Sequence, residues 1–338
     1  MGEAPTSHTP RWSGGRRGKS GCARRLPVIA TAALLLCVVG VPEICAQDLE
    51  PRALTNVPVG TQFLIAGYAY STGNVLLDPA IPIEGLDANL HTLLGATSIA
   101  LDLFGKSSKV TVLAPFSTGS WTGKWEGQDA SRSATGFGDP KVALSVNLIG
   151  APAVDAEDFS SYTPGTTFGV SLRASIPLGE YDEDELLNLG SNRWTFKARA
   201  GVSHPVDEWT LEGYVSLWLF TENPEFVGGD TLEQRPFIGV TTHVIRSLPK
   251  GIWIAFDLGF GTGARGVVNG VERDNRQRTV RFGGTFAVPI ASGHSLKLTA
   301  ASAAAAEPGP DFDVLALTYQ YLWGAEIPDL PDIADLAD

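Results

Sequence analysis

Long stretches of this chain alternate, residue by residue, between apolar side chains and polar or small ones. A period of two is the signature of a strand with two unlike faces. Phe168, Val170, Leu172, Ala174 and Ile176 alternate with Gly169, Ser171, Arg173 and Ser175. Trp194, Phe196, Ala198, Ala200 and Val202 alternate with Arg193, Thr195, Lys197, Arg199 and Ser203. Roughly twelve such segments begin near residues 61, 88, 108, 138, 165, 193, 208, 235, 251, 276, 294 and 313, each about long enough to cross a bilayer at a tilt. A soluble sheet would bury the apolar face in a core, whereas a membrane barrel would turn it to lipid and leave the bases in a lumen.

The connections favour the second arrangement. GKSS, HPVDE, SLPKG and IASGH are short, and between them fall the longer stretches 73–87, 116–137, 178–192, 222–234, 264–275 and 303–312. Outer-membrane barrels sort their loops in this way, short at the periplasmic end and long outside. One inner connection, 150–164, is longer than that rule expects. Trp194, Trp209, Trp253, Tyr319, Tyr321 and Trp323 lie at or near strand ends, where amphipathic rings prefer the membrane interface. The last strand, DVLALTYQYLW, ends in an aromatic residue and reads as a signal for the barrel-assembly machinery. The pattern therefore predicts an all-β fold, an antiparallel transmembrane β-barrel of about 12 strands with both termini inward, in contact with outer-membrane lipid and lipopolysaccharide.

Residues 1–46 read as a separate segment. Arg11, Arg16, Arg17, Lys19, Arg24 and Arg25 precede an apolar run, Leu26 to Val41, of the length of a secretory signal, with cleavage after Ala46. A lipoprotein cysteine at Cys45, a twin-arginine signal at Arg16 and Arg17, and an uncleaved anchor are the alternatives. Residues 47–60 then form a short periplasmic segment, 61–323 the barrel, and 324–338 an acidic periplasmic tail. All three cysteines (Cys22, Cys37, Cys45) lie in the leader, so the remainder can form no disulfide. Six of the 25 basic residues lie there too, against two of the 37 acidic ones. What remains is more acidic than the whole chain's net −12, which argues against nucleic acid as a partner.

Several stretches resemble the outer-membrane family labelled after the MetA pathway of phenol degradation. They are DLEPRALTNVPVGTQFLIAGYAYSTGNVLLDP, GFGDPKVALSVNLIGAPA, IPLGEYDEDELLNLGSNRWTFKARAGVS and HSLKL. The specific part is Pro177, Gly179, Tyr181 and Asp182, followed by Asn188, Gly190, Ser191, Asn192, Arg193 and Trp194. The resemblance implies a transmembrane barrel with a transport function. The chain departs from the pattern in its Ala-rich segment, Ser302 to Glu307.

No motif for catalysis, metal or cofactor stands out. His91, His204, His243 and His294 are widely separated, with no HExxH and no GxSxG elbow. The acidic run Tyr181 to Glu185 lacks the spacing of a calcium loop and reads as a solvated outer loop. Lys141, Arg173, Arg193, Lys197, Arg199, Asp257, Arg281 and Lys297 are the expected lumen-lining residues, with Glu212 a further candidate. They could form a basic pore wall that attracts anions, or ion pairs that fill a closed interior. Outer loop 116–137, with Phe116, Trp121 and Trp125, is the expected constriction, and Gln47 to Gly60 could insert as a small plug. The functional expectation is a passive transporter or channel for small molecules, aromatic or anionic compounds among them. The alternatives are a barrel that conducts nothing and an outer-membrane enzyme such as a phospholipase.

Overall fold

The computed structural model describes residues 49–75, 84–125, 128–306 and 311–324. The leader expected over 1–46 and, beyond Gly324, the expected acidic tail lie outside the described residues.

Alternating segments become strands β1 (Gln62–Asn74), β2 (Glu84–Leu103), β3 (Lys106–Trp125), β4 (Gln128–Phe137) and β5 (Lys141–Ile149). A short helix, α1 (Ala156–Phe159), precedes β6 (Thr167–Ser175), β7 (Thr195–Val206) and β8 (Trp209–Phe220). Then come β9 (Asn223–Phe226), β10 (Asp230–Gln234), β11 (Phe237–Ser247), β12 (Trp253–Gly263), β13 (Gly266–Val268) and β14 (Val271–Glu272). The last three are β15 (Gln277–Ala291), β16 (His294–Ala306) and β17 (Asp311–Trp323). Twelve of these strands, β1, β2, β3, β5, β6, β7, β8, β11, β12, β15, β16 and β17, pair antiparallel with their neighbours. Pairing of β1 with both β2 and β17, and of β2 with β3, closes the ring. Closure leaves no open sheet edge to face hydrocarbon, the condition a spanning sheet must meet.

The burial pattern separates the two faces. Leu64, Leu93, Leu144, Leu172, Val215, Phe256 and Leu315 lie on the outside, between 40% and 58% exposed. Thr92, Ser117, Asn147, Lys197, Glu212, His243 and Asp257 are buried inside. In water such an arrangement would be inverted, so the apolar belt requires lipid as its solvent.

The two ends of the barrel differ. At one, the turn end, Phe104 and Gly105, Asp207 and Glu208, and Ser292 and Gly293 make tight connections, and both ends of the sheet, Gln62 and Trp323, pair there. At the other, the loop end, the wall is taller and covered. The stretch 116–137, expected as a loop, is a β-hairpin: β4 pairs with the far half of β3, from Phe116↔Phe137 to Trp125↔Gln128, and β5 pairs with its near half. Between β4 and β5 the strand is broken at Gly138, Asp139 and Pro140, because proline has no N–H to give to a ladder. The expected loops 222–234 and 264–275 fold into a second sheet, in the order β14-β13-β10-β9, that caps this end. The Ala-rich segment is strand rather than loop as far as Ala306, since pairing of β16 with β15 overrides alanine's weak strand preference. The long connection 150–166 crosses the turn end. There Lys106 bridges to Pro152, and the amide of Ala153 donates to the Gly105 carbonyl at 3.1 Å.

Candidate functional site: a lumen closed by the chain's own N-terminal segment

Residues 49–60 enter the barrel from the turn end and lie across its lumen. The segment turns at Arg52, whose φ is 64°, with the Thr55 amide donating to the Arg52 carbonyl. It is held by wall residues from β3 round to β15. Lys109 Nζ donates to the carbonyls of Ala53 at 3.1 Å and Thr55 at 3.4 Å, and Asn147 Nδ2 to that of Leu54 at 3.1 Å. Leu54 itself is buried against Gly169, where an added Cβ would come within 2.5 Å of its side chain. The Arg52 amide donates to Glu212 Oε2 at 2.8 Å, its guanidinium donates to Ser247 Oγ at 2.7 Å, and its charge lies 4.9 Å from the centre of the Trp253 ring. At the turn end, Asn56 Nδ2 donates to the Pro152 carbonyl and the Val59 amide to that of Val154.

Two of the expected lumen residues reach this segment directly. Arg173 and Arg199 both reach Glu50 Oε2, at 3.7 Å and 3.5 Å. Lys297 pairs in register with Ala287 and Thr318, both buried. Asp257 is fully buried, with His243 Nδ1 2.6 Å from its Oδ1 and Thr285 Oγ1 donating to its Oδ2 at 3.2 Å. Glu212 is a further hub, accepting from Ser203 Oγ and Tyr214 Oη at 3.0 Å each.

Of the remaining expected lumen residues, Lys197 pairs in register with Arg173. Lys197 lies 4.6 Å from the centre of the Trp218 ring. Arg193 donates to Gln234 of the cap sheet and lies over Phe220, while Arg281 lies over Phe312 and donates to its carbonyl at 3.4 Å. Lys141 begins β5, pairs with Leu113 and Ser175, and alternates with outward Val142.

The expected constriction is corrected at Phe116. Phe116 is on the outward face of β3, edge-on to exposed Phe137 at 5.1 Å. Trp125 ends β3, paired with Gln128. Trp121 does turn inward, but as a packed wall residue, 1% exposed, whose Nε1 donates to the Val75 carbonyl at 3.0 Å. Alternation along β3 dictates the difference, since 116 and 121 have opposite parity.

Trp121 belongs to an apolar cluster that fills the loop-end half of the barrel. Leu90, Leu94, Phe312 and Val314 come from the wall, Leu186, Leu187 and Leu189 from the connection 176–194, and Phe226, Leu232 and Val268 from the cap sheet. The connection is pinned by Asp139, in the break between β4 and β5. Its Oδ1 accepts from the Gly179 amide at 3.0 Å, and its Oδ2 from the amide and hydroxyl of Ser191 at 2.9 Å and 2.6 Å. Gly179 and Gly190 face each other so closely that a Cβ on Gly190 would lie 2.7 Å from the Gly179 carbonyl carbon. Tyr181 Oη donates to the Glu225 carbonyl, and Asn192 Nδ2 to Asn223 and Glu225. In the acidic run, Glu185 pairs with Arg132 at 2.8 Å, and burial raises its carboxyl above its ordinary range against the pull of that arginine.

Sequence reasoning passed over Lys109, Glu50 and Arg52, and did not place His243 in the lumen. Parity could have found His243, which lies between inward Thr241 and Ile245 on β11. Nothing in the spacing joins Glu50 to Arg199.

A twelve-stranded barrel with an apolar belt, a capped loop end and a lumen crossed by its own N-terminal segment defines a class: a transmembrane β-barrel of the outer membrane. The chain belongs to the family described as "Putative MetA-pathway of phenol degradation", whose model matches residues 59–317. Among solved structures, it is similar to the COG4313 outer membrane channel from Pseudomonas putida F1. The TM-score is 0.68 at 19% identity, over 81% of this chain and 99% of that one. The beta domain of the Bordetella autotransporter Brka matches with a TM-score of 0.47 at 13% identity, over 78% of this chain and 100% of that one. The transport unit of the autotransporter AIDA-I from Escherichia coli matches with a TM-score of 0.46 at 8% identity, over 82% and 94%. No curated protein sequence matches.

Proposed function

We propose that this barrel is a passive transporter that admits small, largely apolar molecules, aromatic ones among them, through the outer membrane. The observation that carries the reading is the contrast between the two halves of the lumen. The loop-end half is lined by leucines, Trp121 and Phe312. The turn-end half is polar and occupied by a segment held through side-chain hydrogen bonds and loose ion pairs. An apolar solute is favoured in the first half and leaves through the second when the segment shifts. The name of the solved channel supports transport. The loop end faces outward, the leader is removed after Ala46, and assembly follows the aromatic end of β17.

The barrel carries no catalysis in this reading. His91, His204 and His294 bond to Tyr68, Thr166 and Tyr319 respectively, and His243 is sealed against Asp257. Uptake of a labelled monoaromatic compound by a Gram-negative host with and without this chain tests the proposal. Faster uptake of the aromatic, with no gain for a sugar of similar size, is the expected result. An unchanged aromatic rate would overturn it.

A further inference from the structure

We propose that the free edge of β4, at the loop end, is a docking site for an extended, basic peptide segment of another protein, which adds to the sheet as a further strand. β4 is bonded along one edge to β3, in an unbroken register from Phe116↔Phe137 to Trp125↔Gln128. Its other edge has no strand partner among the described residues, because β5 bonds to the near half of β3 and to β6. Two backbone bonds fix which residues point there. The Gly138 amide donates to the Pro115 carbonyl of β3 at 3.0 Å, so even-numbered residues turn toward β3. The Phe137 carbonyl turns away and accepts from the Glu180 amide at 2.7 Å. Alternation along the strand then gives Ser131, Ser133 and Thr135 to the free edge, each with an N–H and a carbonyl.

A row of unpaired backbone groups is a template for another strand, and proteins usually blunt it with proline, lysine or a bulge. β4 has none of these. The connection 176–194 meets the edge at Phe137, and beyond that point a cavity of about 690 Å³ separates the two, lined on one side by Ser133 and Thr135. Opposite them stand Glu180, Asp182, Glu183 and Glu225, all exposed. The cation beside them, Arg132, is held by Glu185 at 2.8 Å. Phe116 and Phe137 are the last apolar residues on the outward face of the hairpin, and above them Thr118 and Thr135 are hydroxyl-bonded at 2.7 Å. The edge therefore stands in water, beyond the apolar belt. Its backbone groups accept any extended chain, and the facing carboxylates select lysine and arginine. A second copy of this chain would bring the same carboxylates into the cleft, so like charges oppose the pairing of two barrels edge to edge.

The probe is a labelled peptide of about seven residues, an ordinary strand length, alternating lysine and valine. It is titrated into the detergent-solubilised full chain, with binding read by fluorescence anisotropy and by amide hydrogen exchange. Neither readout depends on the barrel conducting. At saturation, exchange at Ser133 and Thr135 should slow by about tenfold or more, with the wall strands unchanged. A peptide with glutamate in place of lysine should bind at least about tenfold more weakly. So should the lysine peptide N-methylated at every second residue, which keeps its charge and loses its donors to β4. Ser133→Pro takes one donor from the free edge and none from the ladder with β3, and should weaken binding about threefold or more. The double variant Glu180→Gln, Glu183→Gln tests the charge without touching the strand, and the same loss is expected of it. Absence of binding at about 1 mM peptide, equal affinity of the N-methylated peptide and its parent, or binding without protection of Ser133 and Thr135 would overturn the site. So would a dimer in detergent that protects these two amides with no peptide present, since the edge would then be occupied by a second copy.

Discussion

Ala198 and Arg199 are adjacent in sequence and meet opposite environments. Ala198 is outward and exposed on β7, while the Arg199 side chain is inward, over Tyr214 and beside Glu50. Ala198→Arg would place a charge in hydrocarbon at a cost of about 2–4 kcal/mol near the midplane. The variant should therefore fold in a smaller fraction, read as loss of the heat-modifiable band on a gel. Arg199→Ala should assemble normally, because its loss exposes no charge to lipid. Equal folding of Ala198→Arg and wild type would show that this face meets something other than lipid. At this scale the sequence was informative, since parity alone assigns Trp194, Phe196, Ala198, Ala200 and Val202 to one face. Pairings were not legible. His243 bonds to Asp257 because neighbouring strands place them opposite one another, a matter of register that composition does not carry.

Among the elements, the connection 176–194 shows how a motif can be visible and its role hidden. Its glycines, Asn188, Ser191 and Asn192 stand out in the sequence, yet they form a folded loop that fastens three leucines over the lumen. The anchor is Asp139, 40 residues from Gly179 and 52 from Ser191. Asp139→Ala removes a carboxylate from three donors, at a cost of about 2–4 kcal/mol to the loop. Amide hydrogen exchange at Gly179 and Ser191 should accelerate by at least about tenfold, with the wall strands unchanged. Unaltered exchange at both would remove Asp139 from this role. The hairpin β3–β4 is hidden in the sequence for a related reason. Its far half is rich in Gly, Ser and Thr, which resembles a loop in composition, and only the ladder with β4 makes it wall.

The molecule as a whole is a closed ring filled from both ends, by an apolar lid at the loop end and by the N-terminal segment at the turn end. The strand number and the sorting of connections were readable because membrane thickness and backbone satisfaction leave few other solutions. The filling was not, because a 12-residue segment with no periodicity can lie anywhere until its donors and acceptors are placed. The central claim is that this segment closes the lumen. Single-channel conductance of the full chain, compared in planar bilayers with a variant lacking residues 49–57, tests it most directly. Removing the segment vacates the space between Lys109, Arg173, Arg199, Glu212 and Lys297, so the account predicts conductance steps several-fold larger, with preference for anions. Identical conductance and selectivity in the two proteins would contradict it.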